Sequence, residues 1–197
     1  MTLRDEGYFI PQSLHVYQAA PGTPPPTPEQ IAPGGTLPAV WKEIAHVADE
    51  TGDGGIQLTR DGGDRTPKGS MAKKTIRVVT AAVVTGFELD FTQITRETLA
   101  LYHGTQGGTV DGVFGVADGE DSNDTVTAFL AVWTDGAVSL GLHAPKNSWA
   151  ARDNIDTSST EDATRVPVVG TFISPDLVGG VRPKKFNWIS PQLFPLS

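Results

Sequence analysis

Residues 86–104, GFELDFTQITRETLALYHG, decide how this chain is read. Phe87, Leu89 and Phe91 alternate with Glu88 and Asp90, the two-residue period of a strand with one apolar and one wet face. The alternation predicts a strand over residues 82–91 and stops at Thr92. A helix over about residues 93–103 follows, capped by Thr92 or Thr95. Ile94, Leu99, Leu101 and Tyr102 supply its apolar stripe, and Gly104 suits the left-handed position after a helix.

The same stretch opens an acidic zone. Residues 86–145 hold nine acids (Glu88, Asp90, Glu97, Asp111, Asp118, Glu120, Asp121, Asp124, Asp135) and one base, Arg96. The imbalance equals the formal net charge of the whole chain, −8, and the remainder carries 14 charges of each sign. A charge excess confined to one part of a β-rich chain predicts a surface with a single electrostatic task.

Strand signals surround this core. Residues 75–80, 109–117, 125–133, 137–143 and 164–173 are β-branched or alternating, and Asp135-Gly136 marks a hairpin turn. Residues 55–60 form a short strand, whereas 40–47 fit helix or strand equally. Residues 61–74 show no periodicity and belong to a long exposed loop over 48–74. Eight of the 15 prolines fall in the first 38 residues, so 1–39 reads as an extended arm with an apolar tip of Tyr8, Phe9, Ile10, Leu14, Val16 and Tyr17. The expected division is an arm (1–39), a β domain (40–180) and an extended C-terminal docking segment (181–197) bearing Trp188 and Phe194.

At 197 residues, 38% hydrophobic and 19% charged, the chain is long enough for one domain with a sizeable core. It has no cysteine, which excludes disulfides, a thiol nucleophile and a cysteine zinc site. The start carries mixed charge without the apolar run of a signal peptide, and no stretch is apolar enough to predict membrane insertion. The acidic balance argues against wrapping on nucleic acid but not against repelling it.

No catalytic, cofactor or metal constellation emerges. The four histidines (15, 46, 103, 143) have no metal-ligand spacing, and no nucleophile elbow or phosphate loop occurs. Two runs imitate a calcium loop. The one from Asp49 has Arg60, and the one from Asp118 has Phe129, where a bidentate glutamate is required. Glu88 and Asp90 share a strand face and offer a carboxylate pair, but a wet single-sign surface explains them equally well. Trp133, Trp149 and Trp188 are the candidates for a sugar-binding platform; spread over different elements, they fit cores or interfaces better.

The order of elements carries a resemblance. An arm leads to a tryptophan segment (Trp41 onward, WKEIAHVADETGDGGIQLTR), a Gly/Asp turn and a strand; then come a long loop, a strand pair and the quoted stretch. With Glu97, Thr98, Leu99, Leu101, Tyr102 and Gly104 in place, the chain resembles the major tail (tail tube) proteins of long-tailed phages, particularly those infecting actinobacteria. The resemblance implies a mainly β fold, a β-sandwich or partly closed barrel with one flanking helix. Six copies would close a ring, rings would stack into a tube, and DNA would pass through it. Glu88, Asp90, Asp111, Asp118, Glu120, Asp121, Asp124 and Asp135 become candidates for the lumen wall. Tyr8, Phe9, Ile10, Leu14, Tyr17, Arg60, Arg65, Lys68, Lys73, Lys74, Trp188 and Phe194 become candidates for contacts between subunits. The implied partners are further copies, a tape measure protein, and tail terminator and tail-tip proteins. The alternative is another virion β-sandwich module, a tail terminator or a carbohydrate-binding tip protein.

Overall fold

The computed structural model describes residues 9–48, 55–68, 77–105, 107–119, 125–155, 157, 164–176, 180 and 183–194. Strand β6 (Val83–Phe91) and helix α2 (Arg96–His103) realise the deciding stretch. Thr95 is the N-cap: its hydroxyl accepts from Thr98 N at 3.2 Å, while Thr95 N donates to Thr98 Oγ1 at 2.9 Å. Gly104 closes the helix at φ 70°, a left-handed conformation that glycine adopts without a Cβ penalty. Ile94 lies before the first turn and is exposed. The buried face is therefore Thr98, Ala100 and Leu101, with Leu99 and Tyr102 half-buried, not the stripe expected from Ile94.

One antiparallel sheet organises the rest. In chain order the elements are β1 (Ser13–Ala19), α1 (Pro28–Ile31), β2 (Lys42–Ala48), β3 (Gln57–Gly62), β4 (Arg65–Lys68), β5 (Arg77–Thr80), β6, α2, β7 (Thr125–Asp135), β8 (Val138–Ala151), β9 (Val166–Phe172) and β10 (Asn187–Ile189). Their order across the sheet is β2-β1-β7-β8-β9-β6-β3, with β10 paired to the first part of β8. β4 and β5 form a separate two-stranded ladder. It extends the β3–β6 hairpin, because Gly63 N donates to Ala82 O and Ala81 N to Asp64 O at the junction.

The sheet curls until its two wings meet. Phe87 of β6 stacks on Phe129 of β7 with centroids 4.2 Å apart, although two strands separate them in the ladder order. Trp149, fully buried, turns its edge to Phe87 and donates its indole N–H to Thr127 Oγ1 at 2.8 Å. Gly170 makes the close approach possible: a Cβ there would collide with the Phe87 ring. The fold is thus the expected mainly β sandwich with few helices, and the curl does not close: among the described residues β2 and β3, at the two ends, pair only with β1 and β6 respectively.

Three expectations are corrected. The first is the arm. β1 lies between β2 and β7, and Leu14 and Val16 are buried in the main core. The proline-rich segment after it crosses the opposite face of the sheet, where Ile31, Leu37 and Trp41 pack on Ala128, Leu130, Val132 and Ile189. The second is the loop over residues 61–74: its described part is β-hairpin, every residue of β4 being exposed. The third is residues 109–117, which contain turns and no strand. The ambiguous segment after Val40 is β2, and β8 runs eight residues past the expected end at 143.

Candidate functional site: assembly surfaces

Four surfaces can carry function. The first is the pair of open sheet ends. Among the described residues, β2 and β3 each leave one row of backbone N–H and C=O groups without a ladder partner, a template for pairing with another chain.

The second is the β4–β5 hairpin, on which Arg65 and Lys68, with Val78 and Val79, are exposed. Arg60 is exposed on β3 below it; Lys73 and Lys74 lie outside the described residues.

The third is the outer face of β6, β9 and the end of β8, opposite the aromatic core. Glu88 and Asp90 project there as the alternation requires, but they are not bare carboxylates. Arg152 bridges them, at 2.7 Å to Glu88 Oε2 and 2.5 Å to Asp90 Oδ1. The hydrogen bond to Glu88 does most to raise the Arg152 pKa above its ordinary value; desolvation opposes it, and the charges of Asp90 and Glu88 add to it. A guanidinium holding both carboxylates as acceptors is a structural ion cluster, not an acid–base pair. Arg152 lies outside the acidic zone of the sequence, so counting charges along the chain missed it.

The other described acids of the zone lie off these three strands. Asp111 and Asp118 are exposed in turns after α2. Asp135, at the β7–β8 turn, accepts from Ile10 N at 2.9 Å. Glu120, Asp121 and Asp124 lie outside the described residues, as does Tyr8. Among the described residues, Glu88 and Asp90 are the lumen candidates that lie inside strands.

Several expected contact residues are used within the subunit. Leu14 is in the core, Phe9 packs against it, and Tyr17 is half-buried on the opposite face, where burial and then Glu43 raise its pKa. Trp188 leans on Trp133 at 6.0 Å, Ile10 and Phe194 stay exposed, and β10 docks the C-terminal segment on β8 of its own chain. With Trp149 and Trp133 buried, no aromatic sugar platform forms from these residues.

The fourth surface is a proline-lined cavity of about 580 Å³ bounded by Pro24, Pro25, Pro145, Pro175 and Pro183, with His143 among its lining residues. His143 Nε2 is 3.1 Å from Thr23 O, its natural acceptor, which leaves Nδ1 to accept from Asn187 Nδ2 at 3.3 Å. Its ring also meets the Trp41 ring edge-on at 5.6 Å. Burial pushes its pKa down to about 4.

This gives a pH prediction. Above the ordinary histidine pKa of about 6.5 both folded and unfolded chains hold neutral imidazole, and stability is unaffected. As pH falls from there the unfolded chain binds a proton that the folded one refuses until about pH 4. Stability therefore declines across that window, by about 3 kcal/mol at most. In urea titrations of the monomer at pH 7 and 4.5, His143→Gln should lose about 2 kcal/mol less than the parent chain on acidification. Equal losses would show that His143 does not titrate as described.

Among the described residues no group of three His, Cys, Asp or Glu is placed to hold a metal, and no helix is long and apolar enough to cross a membrane. Among the described residues, open sheet ends, a projecting hairpin and a carboxylate pair bridged by Arg152 are features of a structural subunit. A family model described as phage tail tube protein matches residues 1–196, and the chain belongs to that family. It is 31% identical to the "Major tail protein Gp23" of Mycobacterium phage D29 over 209 aligned residues, spanning 100% of this chain and 98% of that protein. The chain is a structural protein of the virion tail, not an enzyme.

Proposed function

We propose that six copies close into a ring, that rings stack into the tail tube, and that double-stranded DNA passes through it during ejection. The observation that carries this reading is the sheet with two open ends. Pairing the β2 edge of one copy with the β3 edge of the next satisfies both rows of backbone groups at once. Such a heterologous contact closes into a ring when the rotation per copy allows it.

The outer face of β6 and β9 is the proposed lumen wall. It carries Glu88, Asp90, Val169 and Thr171, with Ser148 and Ala150 on β8 beside them. Arg152 leaves the charge cluster with one net negative charge per copy. Short side chains without an unpaired base and a slight negative excess give DNA phosphates little to bind. The β4–β5 hairpin is the proposed connector between rings. A tape measure protein inside the tube, and terminator and tip proteins at its ends, are the expected partners.

Negative-stain microscopy of the purified chain at rising concentration tests the reading. Stacked rings or tubes are expected above a critical concentration. A monomer at every concentration, with a cooperative melt showing that it is folded, would contradict it.

A further inference from the structure

We propose that the loop over residues 107–119, held in shape by Arg96, is the receptor for the β4–β5 hairpin of a second copy. The proposal rests on the reading above, that copies stack, and it names the surface that receives the connector. Hairpin and loop belong to opposite ends of one strand. The hairpin continues the ladder beyond Val83, whereas α2 and the loop follow Phe91 at the other end of β6. A contact between opposite ends of a subunit repeats from copy to copy and builds a stack.

The loop is preformed. Arg96 Nη1 donates to Gly108 O at 2.8 Å, and Nη2 donates to Val110 O at 3.0 Å and Val113 O at 2.7 Å. Gly115 N donates back to Gly107 O at 2.9 Å. With three carbonyls gathered on one guanidinium, the valine side chains remain outside: Val110 is 63% exposed, Val113 53% and Val116 38%. Asp111 and Asp118 stand exposed among them, and residues 105–119 contain no base.

The hairpin is the complement. Its two strands carry three bases, Arg65, Lys68 and Arg77, and no acid, and Val78 and Val79 are 45% and 41% exposed. Each surface therefore presents valines flanked by a single sign of charge, and the signs are opposite. A two-stranded hairpin with its described side chains in water has no core of its own, so a surface that covers it adds apolar burial it otherwise lacks. The matching surface is present on every copy of the same chain, which makes a second copy the occupant.

The test is sedimentation of polymer at low salt, with a thermal melt on each variant. Asp111→Lys with Asp118→Lys should raise the critical concentration about tenfold, and so should Arg65→Asp with Lys68→Asp. All four substitutions together should return it close to the parent value. Val110→Ser with Val113→Ser, which alters no charge, should raise it independently. The proposal is overturned if the loop variants assemble like the parent, or if the fourfold reversal assembles no better than the hairpin variant. A silent loop with a damaging hairpin variant removes the receptor and leaves the stacking reading intact. Silence of both removes the hairpin as connector.

Discussion

A chain lacking residues 1–20 is expected to stay unfolded. Among the described residues β1 is the only link between β2 and the rest of the sheet, and it also forms one edge of the β7 ladder, so its loss breaks two ladders together. Leu14 and Val16 are buried in the main core, each stabilising it by about 1.5 to 3 kcal/mol. The exposed flank of β7, with the fully buried Phe129 and Leu130, would then face water. Set against a typical net stability of about 5 to 15 kcal/mol, this deletion removes most or all of the margin. Circular dichroism and the amide dispersion of a proton NMR spectrum decide it. A cooperative melt within a few degrees of the full chain would show that β1 is dispensable, as an external arm would be.

The opposite outcome is expected when the hairpin is removed. Gly62 and Val83 are paired across the ladder, so an Asn-Gly turn can replace residues 63–82 and join them directly. The residues of β4, with Val78, Val79 and Thr80 of β5, are all exposed, so the monomer should melt close to the parent temperature. Stacking should nevertheless be lost, with the critical concentration rising on the order of a hundredfold, equivalent to about 2.7 kcal/mol per contact. Microscopy should then show at most single rings. Tubes of ordinary length from this variant would remove the hairpin from the account.

These two predictions divide where the sequence was legible and where it was not. Local signals held: the alternation through Phe87, Leu89 and Phe91, the threonine cap and the glycine stop act within a few residues of one another, and the hairpin after β7 forms where expected, though its two turn residues are Gly136 and Ala137 rather than Asp-Gly. Non-local pairing was hidden. The alternation of Leu14 and Val16 was visible, but β1 is fixed by partners more than 100 residues away, at Ala128–Thr134, while eight nearby prolines suggested an arm. The partner of the Glu88 and Asp90 carboxylates was hidden for the same reason. Arg152 follows Asp90 by 62 residues yet holds both its carboxylate and that of Glu88, because β8 and β6 flank β9. Arg96, the lone base of the acidic zone, also does its work at a distance, on carbonyls 12 to 17 residues ahead. The aromatic core was legible as apolar residues, but the stacking of Phe87 on Phe129 depends on the curl of the sheet, which no local pattern encodes.

Hydrogen–deuterium exchange of the polymer against the monomer tests the central claim most directly, because it reads the backbone groups at the sheet ends. If rings close by edge pairing, amides in Lys42–Ala48 and Gln57–Gly62 that exchange freely in the monomer become protected on assembly. Those of β7 and β8, already paired on both sides for much of their length, should change little. Tubes in which both end strands exchange as fast as in the monomer would show that copies meet by some other surface.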